Sequence, residues 1–155
     1  MSVQRQLTNE RMSQIVIHNG TVYLAGQVAN DLNAGIEQQT REVLGNIERL
    51  LDLAGTDKSR LLSVTIYLND IGSQFATMNG IWDTWLAKGV APARATVEAK
   101  MAAPNVLIEM SVIAALPSRL TCLRALARDA VLPAVSVVPA AATRPALPPP
   151  RLHPH

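Results

Sequence analysis

The chain of 155 residues has one cysteine, Cys122, and three histidines, of which only His18 precedes residue 117. A lone cysteine builds no internal disulfide framework and suits a reducing compartment. Residues 1–116 therefore lack a cysteine nucleophile, a Cys/His zinc site and a two-histidine metal motif. The glycines of this region, Gly20, Gly26, Gly35, Gly45, Gly55, Gly72, Gly80 and Gly89, are scattered singly, so no glycine-rich phosphate loop exists. No run of 18 apolar residues is free of charge, and no membrane span is expected. The N-terminus Met1-Ser-Val-Gln-Arg5 has no apolar signal-peptide core. A cytoplasmic protein is expected. Chemistry within residues 1–116 has to come from Arg, Glu, Asp, Ser, Thr, Tyr or backbone groups.

Hydrophobic residues make up 48% and charged residues 17% of the chain, enough to bury a core in one domain of ordinary size. Composition changes at Pro117. Residues 117–155 contain eight of the ten prolines and no aromatic residue. Their five arginines face the single acid Asp129, a balance of +4. The whole chain carries +2, so residues 1–116 carry −2 by formal count. The basic character belongs to the tail and argues against nucleic-acid binding by the domain. Within the tail, residues 120–132 can form a short helix with Leu123, Leu126 and Ala130 on one side. Beyond Pro133 the composition favours extended or disordered chain.

Residues 1–116 read as an α+β domain. Ile15–His18 and Thr21–Ala25 flank Asn19-Gly20, a type I′ hairpin signal because both central residues need positive φ. Ile36, Val43, Leu44, Ile47, Leu50, Leu51 and Ala54 share one face of a helix that Gly55 stops. In Leu61–Leu68, alternation turns Leu62, Val64, Ile66 and Leu68 one way and Ser63, Thr65 and Tyr67 the other. A second helix is expected from Ser73, as N-cap, to Lys88, with Gly89 as its stop. Ala93–Met101 and Val106–Ala115 are expected to close a hairpin around Ala102-Ala-Pro-Asn105. The order is ββαβαββ, one sheet with two helices on one face.

The strand from Ala93 places Arg94, Thr96, Glu98 and Lys100 on one side and Ala93, Ala95, Val97, Ala99 and Met101 on the other. A polar face of an antiparallel sheet ordinarily meets water. Two features point further. Arg94 follows the strand entry at Pro92, where side chains can line a cleft. Glu109 sits in a strand rich in apolar residues on both faces, and a covered carboxylate needs a partner. A second copy of the chain is the economical cover. The expected hairpin also poses a difficulty. It sets Glu98 opposite Glu109 and leaves Arg94 about four residues, roughly 13 Å, from Glu109. A bulge, the reach of the arginine or another subunit would resolve it.

Several segments occur in order: Ile17-His-Asn-Gly-Thr-Val-Tyr-Leu-Ala-Gly-Gln27, Gln39-Thr40, Asn46-Ile47, Leu50–Gly55, Phe75-Ala-Thr-Met-Asn79, Pro92-Ala-Arg-Ala-Thr-Val-Glu98 and Ile108-Glu109. Together they resemble the Rid family of reactive intermediate deaminases, also called YjgF or RutC-like, and most closely its YoaB-like branch. The resemblance spans residues 11–116. It implies a chorismate-mutase-like fold, homotrimers with clefts between subunits, and no metal or organic cofactor. It implies hydrolysis of 2-imino acids, of the 2-iminobutanoate and 2-iminopropanoate type, to 2-oxo acids and ammonia. Arg94 would grip the substrate carboxylate, a role suited to a permanently charged, bidentate guanidinium. Glu109 would orient or activate the attacking water. Ala25, Gly26 and Thr96 would line the cleft. Asn79 matches a family position and reads as a structural helix-to-strand hydrogen bond.

The sequence departs from the family at three places. Ala25 stands where many members have Ser, Met12 where many have Tyr, and Thr96 where many have Cys. Other residues have ordinary readings. His18 reads as an exposed turn residue, and Trp82 and Trp85 as packing residues. Tyr67 suits either a trimer interior or a cross-strand contact. Two other functions compete with deamination. One is a non-catalytic module that binds or senses small carboxylates such as 2-oxo acids. The other, an endoribonuclease, is disfavoured by the acidic domain and the missing histidine pair.

Overall fold

The computed structural model describes residues 2–118. Its elements run β1 (Gln4–Thr8), β2 (Ser13–His18), β3 (Thr21–Gln27), α1 (Ile36–Ala54), β4 (Leu61–Leu68), α2 (Ile71–Trp85), β5 (Ala93–Glu98) and β6 (Ile108–Ala115). A 3-10 turn at Lys58–Arg60 precedes β4. The expected tail helix over 120–132 lies outside the described residues.

Local signals account for most boundaries. Asn19 and Gly20 take φ of 51° and 74°, the conformation that a two-residue hairpin requires. Gly55 ends α1 at φ 85°, and its N–H reaches back to the last turn. α2 begins earlier than expected, at Ile71, so Ser73 lies inside the first turn. Its hydroxyl donates to Asp70 at 2.7 Å. The helix ends at Trp85, and Gly89, at φ 80°, turns the following loop.

The strands form one sheet in the order β1-β2-β3-β6-β4-β5. β4 and β5 are parallel and every other neighbouring pair is antiparallel. This corrects the expected terminal hairpin. The chain leaves β4, crosses through α2 and returns as β5 parallel to β4, as such a crossover demands. β6 then inserts between β3 and β4. Its residues Ile108, Met110, Val112 and Ala114 are all buried, so it belongs in the middle of the sheet. β5 is short and polar on one side, a composition suited to an edge. The edge strand β1 is a further addition, because Gln4-Arg5-Gln6-Leu7-Thr8 holds a single apolar residue and gives no alternation. Leu7, at φ 51°, is passed over between the pairs Gln6–Ile15 and Thr8–Ser13.

Both helices cover one face of the sheet. Ile15, Val22, Val64, Ile66, Ile108, Met110 and Val112 meet Val43, Leu44, Ile47, Leu50, Leu51, Met78 and Trp82 in a single core. Each such aliphatic side chain contributes about 1.5–3 kcal/mol relative to leaving it in water. Leu62 does not join them. The register shifts between Leu61 and Ser63, and Leu62 turns outward, 48% exposed.

Buried amide chemistry ties α1 to the loop before β6. Gln39 is fully buried. Its Nε2 donates to the carbonyls of Ala34 and Asn105, both at 3.0 Å, and its Oε1 accepts from the Leu107 N–H at 3.0 Å. On the same helix, the Glu42 carboxylate accepts from the N–H groups of Asp31 and Asn30 and from the Gln38 side chain. The Asp31 N–H, foremost among these donors, holds the Glu42 pKa below the usual carboxylate value.

Candidate functional site

The outward face of the sheet holds Glu109. Its strand partner on β4 is Tyr67, and both point away from the helices because their neighbours Leu68, Ile108 and Met110 fill the core. Across β3, the register moves from Leu24–Val112 to Gln27–Met110. Ala25 and Gly26 therefore stand together opposite Ser111, a bulge of two residues against one. The bulge brings the Gly26 backbone onto the Glu109 carboxylate. A Cβ at Gly26 would overlap Glu109 Oε1 and lie 3.0 Å from its Cδ. Gly26, Tyr67, Lys100, Met101, Glu109 and Ser111 line a concavity of about 370 Å³. The carbonyl of Ala25 is taken by the buried Gln27 side chain, whose Nε2 donates to it at 2.9 Å and to Gln14 at 2.9 Å.

Arg94 lies on the other face. It pairs with Val64 across the parallel β4–β5 ladder and so points to the helix side of the sheet edge. Its NH1 donates to Asn79 Oδ1 of α2 at 2.8 Å, and its guanidinium lies 5.4 Å from the ring centre of Trp82. Thr96, two residues on, shares that face, and its Oγ1 is buried without a hydrogen-bond partner among the described residues. Glu98 also turns towards α2, where its carboxylate accepts from the Ile71 N–H at 3.1 Å. The polar side of β5 thus packs against α2, whereas the sequence pattern had suggested the free face of the sheet. The reason is the parallel pairing, which sets Arg94, Thr96 and Glu98 beside the core residues Val64, Ile66 and Leu68.

One protomer consequently brings Gly26 to Glu109 and Arg94 to Thr96, but it does not bring the two pairs together. β4 separates Arg94 from Glu109, with Val64 beside the first and Tyr67 beside the second. The gap is about 10 Å across two strand spacings and about 10 Å along three residues, with the side chains on opposite faces. The feared opposition of Glu98 and Glu109 does not arise for the same reason. Asn79 makes the helix-to-strand hydrogen bond expected of it, but to the Arg94 side chain. That role was not legible, because the parallel crossover sets the pairing. His18 is half-buried: its Nε2 meets Asn19 Nδ2 at 3.1 Å, and its Nδ1 is buried without a partner among the described residues. Among those residues no cluster of three or more His, Cys, Asp or Glu side chains is placed to hold a metal. No helix of the described chain is long and apolar enough to cross a membrane.

A family model described as Endoribonuclease L-PSP matches residues 3–116. The RutC family protein YoaB of Escherichia coli strain K12 is 39% identical over 115 residues, covering 74% of this chain and 99% of that protein. The chain belongs to the RutC/YjgF (Rid) family. The crystal structure of NMB1025, a YjgF family member from Neisseria meningitidis, superposes with a TM-score of 0.73. It shares 39% sequence identity and covers 76% of this chain and 98% of that one. YyfA of the Rid family, from Yersinia pestis, gives a TM-score of 0.65 at 32% identity, with 70% and 90% covered. The six-stranded mixed sheet with two helices is thus the fold of this family, and the family model's match ends at residue 116, before the Pro- and Arg-rich tail.

Proposed function

We propose that this protein is a cofactor-independent enamine/imine deaminase, hydrolysing 2-imino acids of the 2-iminobutanoate and 2-iminopropanoate type to 2-oxo acids and ammonia. One observation carries the reading. A carboxylate, Glu109, stands against bare glycine backbone in a concavity and has no hydrogen bond or ion pair among the described residues, so it is available to a water. Arg94 makes no ion pair among the described residues and is available to a substrate carboxylate. Because the two lie on opposite faces of one protomer, a site using both takes Arg94 from one copy and Glu109 from another. The outward face supports such an assembly: Tyr23 and Val97 stand there 44% and 42% exposed. A homotrimer with three shared clefts satisfies both requirements.

In the proposed reaction Arg94 holds the substrate carboxylate by paired charge-assisted hydrogen bonds. Glu109 accepts a proton from water as the oxygen attacks the imine carbon. The nitrogen of the adduct takes that proton, giving a carbinolamine; its hydroxyl proton then passes through Glu109 to the nitrogen as the C–N bond breaks, and ammonia leaves a 2-oxo acid behind. One water enters for each ammonia released. Gly26, Ala25 and Thr96 line the path.

The test is to generate the imine enzymatically and follow its loss. Wild type accelerates it, and Arg94→Ala and Glu109→Ala each lower the rate by about 10²-fold or more, the usual size of a lost catalytic group. Co-expressing the two variants restores part of the activity, because mixed trimers contain clefts with both residues intact. Failure of wild type to accelerate the reaction overturns the deaminase reading. Binding of 2-oxobutanoate without turnover would instead assign a carboxylate-binding module.

A further inference from the structure

Arg94 is held in a particular way. Asn79 and Trp82 are three residues apart on α2, so they sit on one face of that helix, one turn from each other. Asn79 Oδ1 accepts from one end of the guanidinium at 2.8 Å, and the Trp82 ring lies beneath it at 5.4 Å. Trp82 is itself packed in the core, 6% exposed, against Trp85 at 5.5 Å. The shelf is therefore fixed to the body of the domain and does not follow the exposed edge strand. A guanidinium has five N–H donors. Asn79 takes one on NH1, and no further hydrogen bond engages the others among the described residues.

Both partners are uncharged. A carboxylate in place of the Asn79 amide would hold the guanidinium at the same place but would offset its charge. We propose that Asn79 is a positioning residue with a specific electrostatic requirement: it orients Arg94 while sparing its full positive charge for an anionic ligand, and Trp82 supports the orientation from below. This rests on the reading of Arg94 as a carboxylate anchor. It adds that neutrality at position 79 sets affinity for the carboxylate, and that shape alone does not suffice.

The diagnostic variant is Asn79→Asp, nearly isosteric and of similar helix propensity. A merely structural bond between helix and strand would survive or strengthen, since Asp accepts the same hydrogen bond as a charge-assisted one. The proposal expects the opposite for function. KM for the imine and Kd for 2-oxobutanoate rise about ten-fold or more, the size of one charge-assisted hydrogen bond. The value of kcat stays within about two-fold and the melting temperature is equal to or above that of wild type. Asn79→Ala raises KM less, because the charge remains and only the orientation loosens. Wild-type KM and Kd in Asn79→Asp would overturn the proposal. A second readout needs no substrate: modification of Arg94 by phenylglyoxal, mapped by mass spectrometry. It slows in Asn79→Asp, because an adjacent carboxylate engages the guanidinium more tightly than the amide does and withholds its nitrogens from the dicarbonyl. An unchanged modification rate overturns the proposal even if wild type neither binds nor turns over the acid, and that latter result refutes the deaminase reading separately.

Discussion

Gly26 shows how a single missing methyl group can shape a site. Its α-carbon faces the Glu109 carboxylate so closely that a side chain of any size would meet Oε1. The glycine is needed for space here, since its φ is not in the left-handed region. Gly26→Ala should push the Glu109 side chain into another rotamer at a cost to folding of about 1–2 kcal/mol. Turnover should fall much further, about ten- to a hundred-fold, because the carboxylate no longer meets its water. Steady-state kinetics beside a thermal melt separate the two effects, and unchanged turnover would argue that Glu109 does not act where it stands. Glu109 itself was legible in the sequence as a carboxylate inside an apolar strand. Gly26 drew no attention on residue grounds, because a lone glycine in a strand says nothing of what approaches it. Arg94 was legible by its chemistry, but the face it occupies depends on a parallel pairing that alternation within one strand cannot reveal.

Elements formed by local rules matched their sequence signals at the β2–β3 hairpin and at the end of α1, although not at the two ends of α2. The Asn19-Gly20 turn and the Gly55 stop are properties of a few adjacent residues, and both are found. Elements defined by distant partners did not. β1 has almost no apolar pattern, and its existence depends on β2 offering a free edge. The order of β4, β5 and β6 depends on α2 spanning back across the sheet, and a two-strand hairpin was the simpler reading of the same residues. Gln39 belongs to this class too. A polar residue in an apolar helical stripe looks like a surface position, yet its side-chain amide joins α1 to the main-chain carbonyl of Asn105 and N–H of Leu107. Gln39→Leu keeps the volume and leaves the Asn105 and Ala34 carbonyls and the Leu107 N–H unpaired. The expected loss is about 2–4 kcal/mol in urea unfolding, from several buried polar groups left without partners. Hydrogen exchange at Leu107 should quicken at the same time. An exchange rate equal to wild type would mean that the loop is held by other contacts.

At the scale of the molecule, charge and architecture divide the chain differently. The described segment holds the sheet, the core and the net negative charge, while the arginines and prolines after it lie outside the family match. A chain ending after Ser118 should therefore melt cooperatively and at the same temperature as the full chain. A chain ending after Asn105 should not, because β6 contacts β3 on one side and β4 on the other. Calorimetry on the two truncations decides this, and a cooperative melt in the shorter one would show that β6 is dispensable. The placement of β6 also carries a consequence in time. Among the described strands it is the last to leave the ribosome, yet it occupies the middle of the sheet they form. Until residues 108–115 emerge, the nascent chain can make only two separate ribbons, β1-β2-β3 and β4-β5, each with an open edge awaiting the same missing strand. Synthesis thus passes through an interval in which two copies could pair edge to edge with each other in place of their own β6, and escape from it depends on how soon that strand arrives.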